Sequence, residues 1–164
     1  MLIIKTDVFL NKQALLTAEC SFGRVDAVFG SNSFNFCTKL LTEAMSGRHF
    51  RDYHLLLDEQ STQIYKTTAP VAERSRKLGF ATIHSIHEIA SLQRVEDDGV
   101  AYVTPLDMLT NLTDDNQELA HRLRELHKQC EDINNVATTS LLEIYIDEAE
   151  RRTWFLYEAT RPVE

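Results

Sequence analysis

Two residues four apart carry the first chemical possibility in this chain. His54 and Asp58 stand in the run Phe50-Arg-Asp-Tyr-His-Leu-Leu-Leu-Asp-Glu59. If that run is helical, one turn separates them and both lie on one face, a nitrogen and an oxygen donor placed for one divalent ion. Glu73 is a further carboxylate, fifteen residues beyond Asp58. Fifteen residues of helix span about 22 Å, so Glu73 cannot reach the same ion within one straight helix. It can reach it across a two-fold axis, if the same helix of a second copy runs antiparallel past the first. Spacing alone favours a plainer reading, because a His and two acids on one helix are usually a solvated face.

The other candidates are weaker. Glu118-Leu-Ala-His121 has the Glu-x-x-His form of di-iron carboxylate bundles, but those sites need two such elements and two further Glu, and one copy is present. It reads as a surface pair. His84 and His87 are three apart and could hold a divalent ion, but read more simply as an exposed pair. Arg151-Arg152, near a helix end, suits the macrodipole or an interface better than a phosphate. No phosphate-cradling Gly-rich loop or Gly-x-Ser-x-Gly elbow is present. Nothing in the sequence supports Cys37 or Cys130 as a nucleophile; Cys130 falls on an apolar seam and reads as core, and Trp154 reads as a packing residue.

The elements that must position these residues are helices. From Phe50 to Leu78, Tyr53, Leu56, Leu57, Ile64, Thr67, Val71 and Leu78 recur with helical period, and Gly79 is placed as the stop. Pro70 predicts a kink or break near Thr67–Ala69. Ile83 to Leu92 suits a short helix. Thr104-Pro105, with Asp107 in the first turn, is a helix start. After it Leu109, Leu112, Asn116, Leu119, Leu123, Leu126, Cys130 and Ile133 alternate in steps of three and four, a bundle seam with one polar position. A last helix spans about Val136 to Ala159, with Leu141, Ile144, Tyr145, Ala149, Phe155 and Leu156 inward and Glu148/Arg152 as an i,i+4 ion pair. Residues 1–44 are ambiguous: Leu2 to Leu16 suits helix or strand, Phe22 to Phe36 is Gly-, Ser- and Asn-rich, and Thr38 to Met45 suits a helix.

Composition sets the class. The chain has 164 residues, 43% hydrophobic and 26% charged, one domain's worth with enough apolar content for a core. Its formal net charge is −8, against the basic face of a general nucleic-acid binder. Three cysteines without paired spacing imply reduced thiols, and no apolar run nears the roughly 20 residues of a membrane helix. The N-terminal run shows no cleavable leader pattern, so a cytoplasmic protein with no membrane partner is expected. Long helices with short connections make an all-α antiparallel bundle.

Several segments together resemble one family. Met45-Ser-Gly-Arg-His-Phe-Arg-Asp-Tyr-His-Leu-Leu-Leu-Asp-Glu-Gln60 looks like the start of the second bundle helix of Dps proteins, the bacterial starvation-protection members of the ferritin superfamily. Ala72-Glu-Arg-Ser-Arg-Lys-Leu-Gly79 resembles the end of that helix. Ser85–Asp98 and Thr104-Pro105-Leu-Asp-Met108 resemble the short helix and the third-helix start, and Asp147-Glu-Ala-Glu-Arg-Arg-Thr-Trp-Phe-Leu156 the final helix. The resemblance covers about 45–160, in order, while 1–44 diverges, all within one domain spanning 1–164. It implies a ferritin-like antiparallel four-helix bundle with a short extra helix between the second and third helices. It further implies a homo-oligomeric cage, a dodecamer in the family, that oxidises ferrous iron with peroxide or oxygen and stores ferric mineral.

The family's ferroxidase site lies between two-fold-related subunits, and its pattern carries over to His54, Asp58 and Glu73 as metal ligands. Two positions depart from it. Thr42 stands where the family has its first site His, and Ala69 where it has an Asp. Glu43 and His49 are the nearest residues to substitute. Neutral Thr and Ala offer neither imidazole nor carboxylate, so the tighter iron position is impaired. The resemblance therefore implies either a ferroxidase with a partly degraded site or a non-catalytic cage or dimer of the same fold. DNA-binding members use a Lys-rich N-terminal tail; only Lys5 and Lys12 stand in the first twenty residues here, so DNA binding is expected to be weak or absent. Asp147, Glu150 and Glu143 are candidates to line a cation pore, or form an ordinary acidic face.

Overall fold

The computed structural model describes residues 42, 46–85, 87, 88, 91 and 103–161. Three long helices carry the architecture: α1 (Phe50–Lys77), α2 (Pro105–Asp132) and α3 (Val136–Thr160). No strand occurs among the described residues. The first of the four expected helices falls in residues outside the described ones, apart from Thr42, which is helical and fully buried.

The helix ends follow from local chemistry. Thr104 caps α2: its Oγ1 accepts from the Asp107 N–H at 3.2 Å and donates to Asp107 Oδ2 at 2.6 Å. Pro105 occupies the first helical position, where no N–H is missed. α1 stops at Gly79, whose φ of +93° lets the Phe80 N–H return to the Ser75 carbonyl at 3.1 Å. α1 runs through Pro70 without the expected break. The Thr67 and Thr68 hydroxyls donate to the Ile64 and Tyr65 carbonyls at 2.7 and 2.8 Å in the preceding turn. Lys66, whose carbonyl loses its partner to Pro70, is exposed, so water can satisfy it. The expected short helix is trimmed at its start: residues 81–85 are not helical, while 87, 88 and 91 are.

α2 and α3 form an antiparallel hairpin closed by Ile133-Asn134-Asn135, with Asn134 left-handed at φ +55°. α1 lies antiparallel to α3. Its end meets the start of α3, where Arg74 donates from Nε to Thr138 Oγ1 at 2.9 Å and from Nη2 to Asn135 Oδ1 at 2.7 Å. Its start meets the end of α3, where the Tyr53 hydroxyl donates to the Ala159 carbonyl at 3.4 Å. α1 and α2 therefore run parallel, and the segment joining them must travel back along the bundle.

The core has two halves. One gathers Val71, Leu119, Leu123, Leu126, Cys130, Leu142, Tyr145 and Ala149. The other gathers Leu57, Ile64, Met108, Leu109, Leu112 and Leu156. Each fully buried Leu contributes about 1.5–3 kcal/mol. Between the halves, on α2 and α3, lies a polar layer: Arg152 is 2% exposed and donates from Nε to Asn116 Oδ1 at 2.8 Å and from Nη1 to Gln63 Oε1 at 3.0 Å.

That layer corrects the reading of α3. Its inward face runs Thr138, Leu142, Tyr145, Ala149, Arg152, Leu156. Ile144 and Phe155, expected inside, are exposed, as is Trp154 at 59%. An apolar-only count passes over Thr138 and Arg152 and shifts the face by one residue. Arg152 does not serve Glu148 as a surface partner; its guanidinium is committed to the two amides.

Candidate metal centre

His54 and Asp58 stand one turn apart on α1, both half-buried. The His54 ring is tilted against Phe50, with centroids 5.3 Å apart. Its Nδ1 lies 3.2 Å from the main-chain carbonyl of Thr42. A carbonyl oxygen only accepts, so Nδ1 carries the proton in this bond. The Nε2 lone pair is then left for a metal, the usual arrangement of a ligating imidazole held from behind by an oxygen acceptor. Thr42 thus supports the site through its backbone, although its side chain replaces an expected ligand. No side-chain pattern announces a main-chain acceptor, and sequence reading missed it.

Glu73 is on the same helix but not in the same place. It is exposed and ion-paired with Lys77 at 3.6 Å. Among the described residues no group of three or more His, Cys, Asp or Glu converges on a common point. One chain therefore presents an imidazole and a carboxylate at one end of α1 and a second carboxylate near the other. His49, a nearby candidate substitute, lies 3.8 Å from Asp52; Glu43 lies outside the described residues.

The remaining candidates stay apart from this site. Glu118 pairs with Arg122 at 2.6 Å and His121 with Glu125 at 3.5 Å, so the Glu-x-x-His element is a pair of surface contacts. His84 Nδ1 turns to Glu88 Oε2 at 3.0 Å, and His87 is exposed. Of the three acids considered for a pore, Glu143 faces His127 at 3.2 Å and Glu150 is bonded to Arg124. Arg151 lies over the Phe155 ring, 5.6 Å from its centroid.

Burial governs the electrostatics of the interior. It lowers the Arg152 guanidinium to about 10, against the opposing effect of Glu148. It raises the Glu148 carboxyl, with Arg152 opposing and Asp147 reinforcing the shift, and Glu148 Oε2 has no hydrogen-bond partner. Tyr145, beside Glu148, is pushed up to about 12 and the Cys130 thiol to about 11, both chiefly by burial. Cys130 is accordingly an inert core thiol.

Two parallel helices joined by a connection that recrosses the bundle, followed by an antiparallel hairpin, is the ferritin-like arrangement of helices. The family model of the ferritin-like domain matches residues 38–161. The chain belongs to the ferritin-like family. Among solved structures this ferritin-like chain is similar to Dps from Thermosynechococcus elongatus, with a TM-score of 0.81 and 18% identity over 96% of each chain. DpsC from Streptomyces coelicolor gives 0.85 and 20%, covering 93% of this chain and 88% of that one. The Dps protein of Vibrio cholerae O1, described as a member of a broad superfamily of ferritin-like diiron-carboxylate proteins, gives 0.83 and 18% over 91% and 92%. At these identities the likeness is one of fold. An uncharacterized low temperature-induced protein of Nostoc is 25% identical over 111 residues; the match covers 67% of this chain and 62% of that protein. The chain thus spans less than two thirds of the length of the curated relatives it matches. No helix among the described residues is long and apolar enough to cross a membrane.

Proposed function

We propose that the protein oxidises and sequesters iron in the manner of Dps proteins, at a centre completed between two copies of the chain. His54 Nε2 and the Asp58 carboxylate come from one copy and Glu73 from the other. The observation that carries this reading is the His54–Thr42 bond, which presents Nε2 beside a carboxylate one helical turn away. Imidazole and carboxylate donors suit iron. In the reaction two ferrous ions give one electron each to hydrogen peroxide, its O–O bond breaks, and two protons complete two waters, so no hydroxyl radical is released. The reading includes a homododecameric cage with a complete single-domain bundle over 1–164 and weak or absent DNA binding. Lys5 and Lys12, the only tail lysines, lie outside the described residues.

The test is the rate of Fe²⁺ oxidation by peroxide, compared with a His54→Ala/Asp58→Ala variant. The variant is expected to fall to the rate of iron in buffer. Equal rates in the two proteins would remove His54 and Asp58 from the site.

Thr42 and Ala69 at two ligand positions favour a second reading, a structural cage or dimer that no longer oxidises iron. In that case the parent itself shows the buffer rate while native mass still reports an assembled particle.

A further inference from the structure

His54 stands in the second turn of a helix whose start is uncapped. His49, the residue before α1, makes no side-chain cap hydrogen bond, and such a start frays unless something else holds it. Two ring pairs take the place of a cap. His49 packs on Tyr53 with centroids 5.8 Å apart, and Phe50 packs on His54 with centroids 5.3 Å apart and planes tilted by 39°. Both pairs are four residues apart. Helical side chains lean back over the preceding turn, so each later ring lies over the earlier one. Gly47 sets which residue comes first. Its φ of +106° goes with a turn in which the Phe50 N–H donates to the Gly47 carbonyl at 3.1 Å, and Phe50 opens α1 one turn before His54. The Tyr53 hydroxyl is committed to the Ala159 carbonyl. Phe50 is 43% exposed and belongs to neither half of the core, so its ring is more than the packing of this fold requires.

An imidazole on a helix has two orientations to settle, which edge faces a partner and where its plane lies. Rotation about Cβ–Cγ is broad, and a half-turn exchanges Nδ1 with Cδ2. The Thr42 carbonyl, 3.2 Å from Nδ1, selects the edge. It leaves the plane loose, because directions of approach to a carbonyl oxygen are widely spread. The Phe50 ring covers one face of the imidazole and fixes the plane, but by itself does not tell one edge from the other. Each contact supplies what the other lacks. We infer that Phe50 is a positioning residue for His54: its ring holds the imidazole plane so that Nδ1 keeps its proton on the Thr42 carbonyl and Nε2 is presented to a metal in one direction. The inference rests on the proposed iron centre for the metal, while the hold on the ring belongs to the metal-free chain. A donor already ordered before binding loses less freedom when the metal arrives.

The experiment uses the full chain and two readouts. Solid-state ¹⁵N NMR of histidine-labelled, metal-free protein reads the tautomer of His54, its signals identified by their loss in His54→Ala. Titration with Co²⁺, followed by its visible absorption, reads the affinity of the centre. The parent is expected to show a protonated Nδ1 and a bare Nε2. Phe50→Tyr, which keeps the ring, is expected to match the parent in both. Phe50→Ala is expected to draw the two nitrogen signals together as the tautomers exchange, and to weaken Co²⁺ binding by about three- to tenfold, the scale of ordering one side chain on binding. Phe50→Leu keeps apolar bulk without a flat face, guards against a folding defect in the alanine variant, and is expected to side with it. Native mass and thermal midpoint are expected to stay with the parent in Phe50→Leu. Parent-like tautomer and affinity in Phe50→Ala or Phe50→Leu overturn the inference, as does a Phe50→Tyr chain that loses as much as Phe50→Ala. The iron centre fails separately: Co²⁺ binding that is the same in the parent and in His54→Ala removes it, and the metal-free tautomer still decides whether Phe50 holds the ring.

Discussion

Arg152 Nε lies 2.8 Å from Oδ1 of Asn116, so the single polar step in the seam of α2 and the single buried cation of α3 are one contact. A guanidinium this deep is tolerated because two amide oxygens, Asn116 Oδ1 and Gln63 Oε1, receive its N–H groups. Asn116→Leu is expected to destabilise the protein by about 2–3 kcal/mol, the cost of leaving a charged donor unpaired. Asn116→Leu with Arg152→Met is expected to recover most of that loss, since the charge departs with its partner. Denaturant unfolding at fixed protomer concentration measures both. Additive losses in the double variant would show that the contact has no such role.

Glu148 gives the stability a pH dependence. Its carboxyl binds a proton more tightly in the folded chain than its ordinary value of 4.5, chiefly because it is buried. Its contribution is therefore fully present below 4.5 and is lost as pH rises from there through the folded value. Glu148→Gln, which cannot ionise, is expected to gain on the parent in thermal midpoint as pH climbs through that window. Parallel melting curves for the two proteins across it would contradict this.

Ala69 is exposed on α1 one turn from Glu73, at a position where the resemblance to Dps proteins implies a carboxylate. Ala69→Asp adds a hard oxygen ligand at an exposed position without disturbing the core. If the proposed iron centre holds, ferrous oxidation by peroxide is expected to quicken by about tenfold or more, the scale of a single contribution to a metal site. No change would place Ala69 away from the proposed iron centre.

Pro70 lies inside an unbroken α1 and deprives the Lys66 carbonyl of its helical partner. Pro70→Ala is expected to stabilise the protein by about 1–3 kcal/mol, read as a higher urea midpoint. A loss of stability would mean that the ring makes a contact of its own.

The parts of this fold that were legible share one trait: the side chains that pack are apolar and regularly spaced. Leu109, Leu112, Leu119, Leu123, Leu126 and Cys130 are all buried in α2, in the order their spacing predicted. α3 was harder because Arg152 is in its seam and Ile144 and Phe155 are outside it, so hydrophobicity and burial disagree. At the candidate site the His54–Asp58 turn was readable from the four-residue interval. The Thr42 carbonyl was not, because main-chain acceptors are identical at every residue. Spacing alone left Glu73 as an exposed helix-face acid, which is how it stands within one chain, paired with Lys77; the resemblance was what raised it to a candidate ligand.

The three-residue turn at Ile133–Asn135 has a kinetic consequence. Two helices of 28 and 25 residues that zip along each other from so short a connection need little loop-closure entropy to begin packing. α1 must instead be brought back across the long segment 78–104, a slower closure with fewer local contacts to guide it. The α2–α3 hairpin is therefore the natural seed of folding, with Leu123, Leu126 and Leu142 joining before Leu57 and Ile64. Amide hydrogens along that seam will be the last to exchange with solvent, and those of α1, the helix of His54 and Asp58, will open first.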